Sequence, residues 1–158
     1  MGIENTPYEI RKVSAADVLE AENAKELFDM YHDEVRTAGM PVHKPDEGAY
    51  HALEDCGILH AWGLYREGLL VGFLSLLVSH VPHFGEKIAT TESFYVRPEH
   101  RGSGTGRGLL KSAEAFARET GCVGFWIPAP VGGSLSKAIS IWGYRKAYEA
   151  YFKGLADD

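Results

Sequence analysis

Four glycines alternate with other residues between Gly102 and Gly108, directly before a segment whose apolar residues have helical spacing. Glycine loses more conformational freedom on folding than any other residue, so this density is costly to order. The preceding segment, IATTESFYV at residues 88–96, alternates like a strand and is stopped by Pro98. A strand, a glycine loop and a helix N-terminus in succession form an anion site, because the first helical N–H groups lack partners and glycines let them converge. The sequence therefore predicts a strand–loop–helix unit around an anionic ligand.

The spacing within this loop excludes the two commonest phosphate-binding loops. In a P-loop, the fifth residue after the first glycine is a second glycine, and a lysine follows it. Here the fifth residue after Gly102 is Arg107. A dinucleotide-binding loop has a third glycine three positions after Gly104, and this residue is again Arg107. Arg101 and Arg107 flank the loop, and we expect them to add charge-assisted donors to phosphate oxygens. On spacing alone, a tight connection without a ligand stays open as the alternative.

The rest of the chain alternates strand-like and helix-like patterns in the order β, α, α, β, β, β, α, β, α, β. A long first helix is expected from Ser14 to near Gly39, and a final strand is expected over residues 145–155. Antiparallel strands mixed with strand–helix–strand crossovers predict an α/β or α+β fold on one mixed sheet. We expect a single domain that spans residues 1–158.

Charge and composition limit the partners. The formal net charge is −6 and the pI about 5.6, so the basic surface of a nucleic-acid-binding protein is absent and amine-bearing partners are favoured. The longest apolar run, at residues 69–78, is half the length of a membrane span and indicates a buried strand. The first residues lack the apolar region of a secretory signal. We expect a cytoplasmic protein that binds neither nucleic acid nor membrane.

The stretch VRPEHRGSGTGRGLL, at residues 96–110, resembles the acetyl-CoA signature of the GNAT superfamily of N-acetyltransferases. That signature consists of Arg or Gln, two residues, Gly, one residue, and Gly or Ala, usually after Val-x-Pro. The matching positions are Val96, Pro98, Arg101, Gly104 and Gly106. The expected element order agrees with this fold over nearly the whole chain, and the pattern is similar to short GNAT proteins of bacterial and phage genomes.

The resemblance implies the GNAT fold, a mixed and mostly antiparallel sheet of about six to seven strands with about four helices. Two central parallel strands, SFYV and GFWIP, would splay apart. Acetyl-CoA is implied as co-substrate, its pyrophosphate on the loop amides and its pantetheine arm along the strand before the loop. The implied binding residues are Phe94, Tyr95, Val96, Arg101, Gly102, Ser103, Gly104, Thr105, Gly106 and Arg107. No metal is expected, because His80 and His83 have no nearby third ligand.

Acetyl transfer to an amine requires a neutral amine, stabilisation of charge on the carbonyl oxygen and protonation of the leaving thiolate. The resemblance implies a base on the strand before the loop, and Glu92 occupies that position. The acid of the family is a tyrosine four residues before the terminal glycine, but Ile139 stands there. Tyr144 is the candidate acid that we name, with Tyr95 and solvent as alternatives.

These observations predict an N-acetyltransferase that moves an acetyl group from acetyl-CoA to a primary amine of a small molecule or protein. Acceptor specificity is expected in the loops at residues 38–51 and 81–87. One alternative is an acyl-CoA-binding module with a sensory or structural role, which Ile139 favours. Another is a site for nucleotide phosphate. A homodimer is compatible with the sequence.

Overall fold

In a computed structural model that describes residues 7–155, all strands belong to one sheet with the order β1-β2-β3-β4-β5. Pairing is antiparallel from β1 to β4 and parallel between β4 and β5, so the predicted mixed, mostly antiparallel sheet is confirmed. The strands are β1 Glu9–Val13, β2 Leu59–Arg66, β3 Leu69–Val81, β4 Glu86–Val96 and β5 Gly124–Trp126.

In the part of the chain that the structure describes, five α-helices cover the two faces of the sheet, one more than the resemblance implies. They are α1 Ala15–Leu19, α2 Ala24–Val35, α3 Glu47–Asp55, α4 Thr105–Glu119 and α5 Ser134–Ile141, with one 3₁₀ turn at Pro98–His100. Leu109, Leu110 and Ala113 of α4 pack into a core with Leu74 and Leu76 of β3. Leu27 of α2 packs on the opposite face in a second core. Within residues 7–155, no helix is long and apolar enough to cross a membrane.

The long helix expected after Ser14 is divided in two. Ser14 and Asp17 form a capping box at the start of α1, as the sequence suggests. The helix ends at Leu19, however, and α2 begins only after Asn23. The Asn23 side chain makes no capping hydrogen bond, and its Nδ2 instead donates to the carbonyl of Leu70 at 2.8 Å. A tertiary contact to β3 thus sets the position of α2.

The predicted strand count and the predicted final strand are wrong. Over the described residues 7–155, the sheet has five strands rather than six or seven, and residues 145–155 form no regular element. This segment alternates aromatic and polar residues, which resembles a strand, but β5 offers a neighbour of only three residues. Its Tyr148 ring packs edge-on against Trp126 at 5.5 Å, while Tyr151 is 89% exposed. A ring contact replaces the backbone pairing that the alternation predicts.

The path of β4 positions the site. β4 pairs with β5 only from Ile88 to Thr90, and then continues to Val96 with no strand on that edge. The predicted divergence of two parallel strands is therefore confirmed. On its other edge, β4 pairs with β3 through a register shift, because Ser75 faces Ser93 while Leu76 faces Thr91. Glu92 is the extra residue of a β-bulge, which bends the strand and redirects a side chain.

We predict that Gly72→Ala destabilises the fold by about 1–3 kcal/mol, the usual range for overpacking. A Cβ at Gly72 would lie 2.8 Å from the carbonyl oxygen of Tyr95, so β3 and β4 would have to move apart. Gly124→Ala is the matched strand control, because its Cβ would meet only the Ile88 side chain, at 3.9 Å. Urea unfolding measures both variants, and equal stabilities would contradict the prediction.

Candidate functional site

A cleft of about 490 Å³ opens at the free edge of β4, between the N-termini of α4 and α5. Of the residues predicted to bind the cofactor, those that line it are Phe94, Tyr95, Val96, Arg101, Gly102, Gly104, Thr105, Gly106 and Arg107. Ser103 is exposed and is not part of the wall. The strand, the glycine loop and the helix N-terminus are thus assembled around one cavity.

The glycine loop leaves the first turn of α4 open. Gly104 is the N-cap and lies in the left-handed region with φ 79°, as does Gly102 with φ 88°. The helix has no side-chain cap, and the Thr105 hydroxyl donates away from the helix start to the His100 carbonyl at 2.8 Å. The first-turn N–H groups therefore face the cleft without an internal acceptor, a geometry that suits an anion such as a pyrophosphate.

Arg101 lines the cleft, but much of its guanidinium is engaged within the protein. Nε donates to the Val96 carbonyl at 2.7 Å, and one terminal nitrogen donates to Glu34 at 2.6 Å. The guanidinium also lies 5.4 Å from the centre of the Tyr95 ring. Arg101 thereby joins the end of β4 to α2, in addition to any contact with a ligand that its remaining donors can make.

Glu34 has no counterpart in the sequence-based predictions. Its carboxylate accepts hydrogen bonds from Arg101 and from the Ser134 hydroxyl at 2.8 Å, so it connects α2, the glycine loop and α5 across the cleft. Burial raises the pKa of Glu34, but the two hydrogen bonds outweigh burial and hold the pKa below its ordinary value. The partners are 67 and 100 residues away in sequence, and no local pattern indicates them.

Glu92 lies at the bulge, on the face of the sheet that carries α2 and α3. One carboxylate oxygen accepts from the Ser75 hydroxyl at 2.5 Å, and the other accepts from the Tyr50 hydroxyl at 2.9 Å. Burial, with a contribution from the Glu92 charge, raises the pKa of Tyr31 to about 12. The same two causes raise the pKa of Tyr50 above its ordinary value. The Tyr31 ring also contacts Tyr95, with centroids 5.7 Å apart, and so links Glu92 to the wall of the cleft.

Tyr144 is placed away from the cleft. Its ring packs against the core on the α4 side, and its hydroxyl donates to Glu114 at 2.6 Å. Burial and Glu114 both raise the pKa of Tyr144 above its ordinary value. A phenol whose proton is held by a carboxylate outside the cavity is not positioned to act as an acid there. The structure therefore argues against the role that the sequence suggests for Tyr144.

The face of α5 that lines the cleft carries no phenol either. Leu135, Ala138 and Trp142 line the cavity, whereas Ile139 packs into the core beside α4. Nor does the described part of the chain bring three His, Cys, Asp or Glu side chains together as a metal site. The ring of His83 instead contacts Phe84, with centroids 5.0 Å apart.

We predict that the Glu34 contacts stabilise the fold in a pH-dependent way. The pKa of Glu34 is lowered on folding, so these contacts add to the free energy of unfolding at pH values above the unfolded-state pKa of 4.5. That contribution is lost as the pH falls through the lower pKa of the folded state. The difference in melting temperature between wild type and Glu34→Gln should be largest at neutral pH and narrow below pH 4.5. Asp33→Asn, at the exposed neighbouring residue, is the control. A difference that is constant with pH would contradict this assignment.

The comparison with protein families identifies one match over most of the chain. The family described as Acetyltransferase (GNAT) family matches residues 24–131, which include β2 to β5, the glycine loop and Glu92. The aminoglycoside N(6')-acetyltransferase type 1 of Stenotrophomonas maltophilia is 36% identical over 59 residues. That alignment covers 35% of this chain and 39% of the relative, so it spans well under half of either protein.

Solved structures share the fold at low sequence identity. A ribosomal-protein-alanine N-acetyltransferase from Brucella melitensis biovar Abortus 2308 has a TM-score of 0.70 at 21% identity, over 93% of this chain and 98% of that one. An aminoglycoside acetyltransferase from an uncultured soil metagenomic sample, in complex with sisomicin, has a TM-score of 0.70 at 15% identity, over 96% and 99% of the two chains. An aminoglycoside N-acetyltransferase in complex with CoA has a TM-score of 0.70 at 14% identity, over 97% of each chain. Because the family match covers more than half of the chain, this protein belongs to the GNAT family of acetyltransferases.

Proposed function

We propose that this chain is an acetyl-CoA-dependent N-acetyltransferase and that the cleft at the free edge of β4 binds the acetyl donor. The observation that carries the proposal is the junction of that free strand edge with the uncapped N-terminus of α4 in a single cavity. An extended arm can pair with the strand edge while an anionic group binds the helix N-terminus. Membership of the GNAT family, whose members use acetyl-CoA, supports the same donor.

Each part of the donor site has a distinct task. The N–H groups around Gly104 and Gly106 would bind the pyrophosphate, with Arg107 beside them in the wall. The backbone groups on the open edge of β4 would bind the pantetheine arm, apart from the Val96 carbonyl, which accepts from Arg101, and the Phe94 N–H, which donates to Tyr31. A remaining N–H of this edge would stabilise charge on the carbonyl oxygen. Acetyl-CoA supplies a reactive thioester carbonyl when it is bound. We assign no metal to the site.

Glu92 is the base in this proposal. It is a carboxylate on β4, close to the start of the free edge, and two hydrogen bonds fix its orientation. Each oxygen retains a further lone pair that can accept a proton from an amine or from a water beside it. Neither Ile139 nor Tyr144 offers a proton to the cleft, whereas Tyr95 is part of its wall. The acid in this proposal is therefore Tyr95 or solvent.

The acceptor in this proposal is a primary amine of a small molecule or a protein. The names of the relatives include both classes, aminoglycosides and a ribosomal-protein alanine. A negative net charge and the Glu92 carboxylate favour an acceptor that arrives as a cation. We also propose a single catalytic domain in the cytoplasm, in keeping with the free thiols of Cys56 and Cys122.

We predict that Glu92→Gln lowers kcat/KM by roughly 100- to 10,000-fold, the usual contribution of a positioned base. The assay is release of thiol from acetyl-CoA in the presence of a panel of amines and peptides. Glu119→Gln, at an exposed position at the end of α4 and outside the cleft, is the matched control and should retain wild-type activity. Full activity of Glu92→Gln would overturn the base. A chain that gains stability from CoA but acetylates no amine would instead be an acyl-CoA-binding module.

We predict that Gly104→Ala weakens CoA binding at least about tenfold, because an L-residue in the left-handed region costs about 1–2 kcal/mol and shifts the helix start. Gly121→Ala is the matched control. Gly121 is also in the left-handed region, with φ 85°, its Cβ would meet no atom within 4 Å, and it does not line the cleft, so CoA binding should be retained. The readout is the rise in melting temperature with CoA, compared with ATP. Stabilisation by ATP but not by CoA would indicate a nucleotide site instead.

A further inference from the structure

Ser75 is a buried polar residue in the middle of β3, with 6% of its surface exposed. Its hydroxyl contacts three polar atoms. These atoms are Oε2 of Glu92 at 2.5 Å, Oγ of Ser93 at 2.7 Å and the backbone nitrogen of Ser93 at 3.1 Å. The residues on either side along β3, Leu74 and Leu76, are fully buried core side chains.

The count of protons fixes the direction of these hydrogen bonds. A serine hydroxyl has one proton to donate and two lone pairs to accept with. The carboxylate of Glu92 only accepts, so the Ser75 proton goes to Glu92. The two lone pairs of Ser75 then accept the N–H and the hydroxyl proton of Ser93. Ser75 is fully satisfied, and the series from Ser93 through Ser75 to Glu92 has one polarity, which strengthens each bond in it.

The β-bulge explains why a hydroxyl is needed at this place. The extra residue, Glu92, interrupts the backbone ladder between β3 and β4. The N–H of Ser93, next to the bulge, donates to the Ser75 side chain. The Ser75 hydroxyl thus accepts from a backbone N–H beside the interruption of the ladder, and it also donates to the Glu92 carboxylate.

We propose that Ser75 is a positioning residue for Glu92 in the acetyl-transfer reaction. It fixes Oε2 against the sheet, so that Oε1 faces α3, where the Tyr50 hydroxyl is its partner. The proposal rests on the function proposed above, because it concerns the base of that reaction. Ser75 does not touch the donor cleft, and its effect passes through Glu92 alone.

The other groups that interact with Glu92 are Tyr31 of α2, His43 of the loop between α2 and α3, and Tyr50 of α3. A substitution at Ser75 leaves all three in place. A change in kcat on such a substitution therefore reports the loss of the serine donor to Glu92. This separates the proposed role from the general effect of the surrounding rings.

The test compares Ser75→Ala with a variant that retains the hydroxyl, Ser75→Thr. A cavity of about 30 Å³ lined by Ser75 and Ser93 has room for the additional methyl group of threonine. Ser79→Ala, at an exposed position of the same strand, is the control for an altered serine. The readouts are kcat and KM for acetyl-CoA with an active amine, and the melting temperature shows that each variant is folded.

We expect kcat of Ser75→Ala to fall about tenfold while KM for acetyl-CoA is unchanged, because the substitution removes the donor that orients Glu92 and leaves the donor cleft intact. Ser79→Ala should keep the wild-type kcat. Ser75→Thr should stay within about twofold of the wild-type kcat, because its hydroxyl is retained.

Four results distinguish the two proposals. An unchanged kcat in folded Ser75→Ala, with Glu92→Gln inactive, overturns the role of Ser75 and leaves the base in place. An equal fall in kcat in Ser75→Ala and Ser75→Thr also overturns that role, because the packing and not the hydroxyl would then be responsible. Full activity of Glu92→Gln removes the base itself, and with it any role of Ser75 in the reaction. A lowered kcat in Ser75→Ala but not in Ser75→Thr, together with inactive Glu92→Gln, supports both.

Discussion

The one-sided pairing of β4 is the constraint on which the rest of the site depends. β5 accompanies β4 for three residues and then ends, whereas β3 accompanies it to Val96. The sheet is therefore continuous on one side and open on the other at the point where the glycine loop begins. A longer β5 would satisfy the backbone groups of β4 and leave no edge for a ligand. The short strand is thus a functional feature of the fold.

The same strand separates two environments. Phe94 and Val96 pack on the side of α4, whereas Tyr95 packs with Phe73 on the side of α2. The bulge at Glu92 places a carboxylate on the second side, close to the start of the free edge. Because side chains alternate along β4, its two faces pack against different helices. The extra residue of the bulge places Glu92 near the point where β4 and β5 diverge. Backbone geometry, more than the identity of any helix, arranges the site.

The sequence predicts those parts of the structure that depend on local rules. Glycine spacing and helical periodicity locate the loop and α4, and the position of Glu92 follows from its strand. The partners of Glu34 and Glu92 are 17 to 100 residues away, and only the folded chain brings them together. At residues 145–155 the local pattern predicts a strand that the folded chain does not form. Their alternation satisfies the local rule for a strand, but no sufficient neighbour exists to pair with it.

One turn of α2 carries both Tyr31 and Glu34. Tyr31 contacts Tyr95 and interacts with the charge of Glu92, while Glu34 binds Arg101 and Ser134 across the cleft. Because Tyr31 and Glu34 are three positions apart on one helix, a displacement of this turn would change both sets of contacts together. In the reaction that we propose, α2 would therefore couple the site of the thioester to the base that deprotonates the amine.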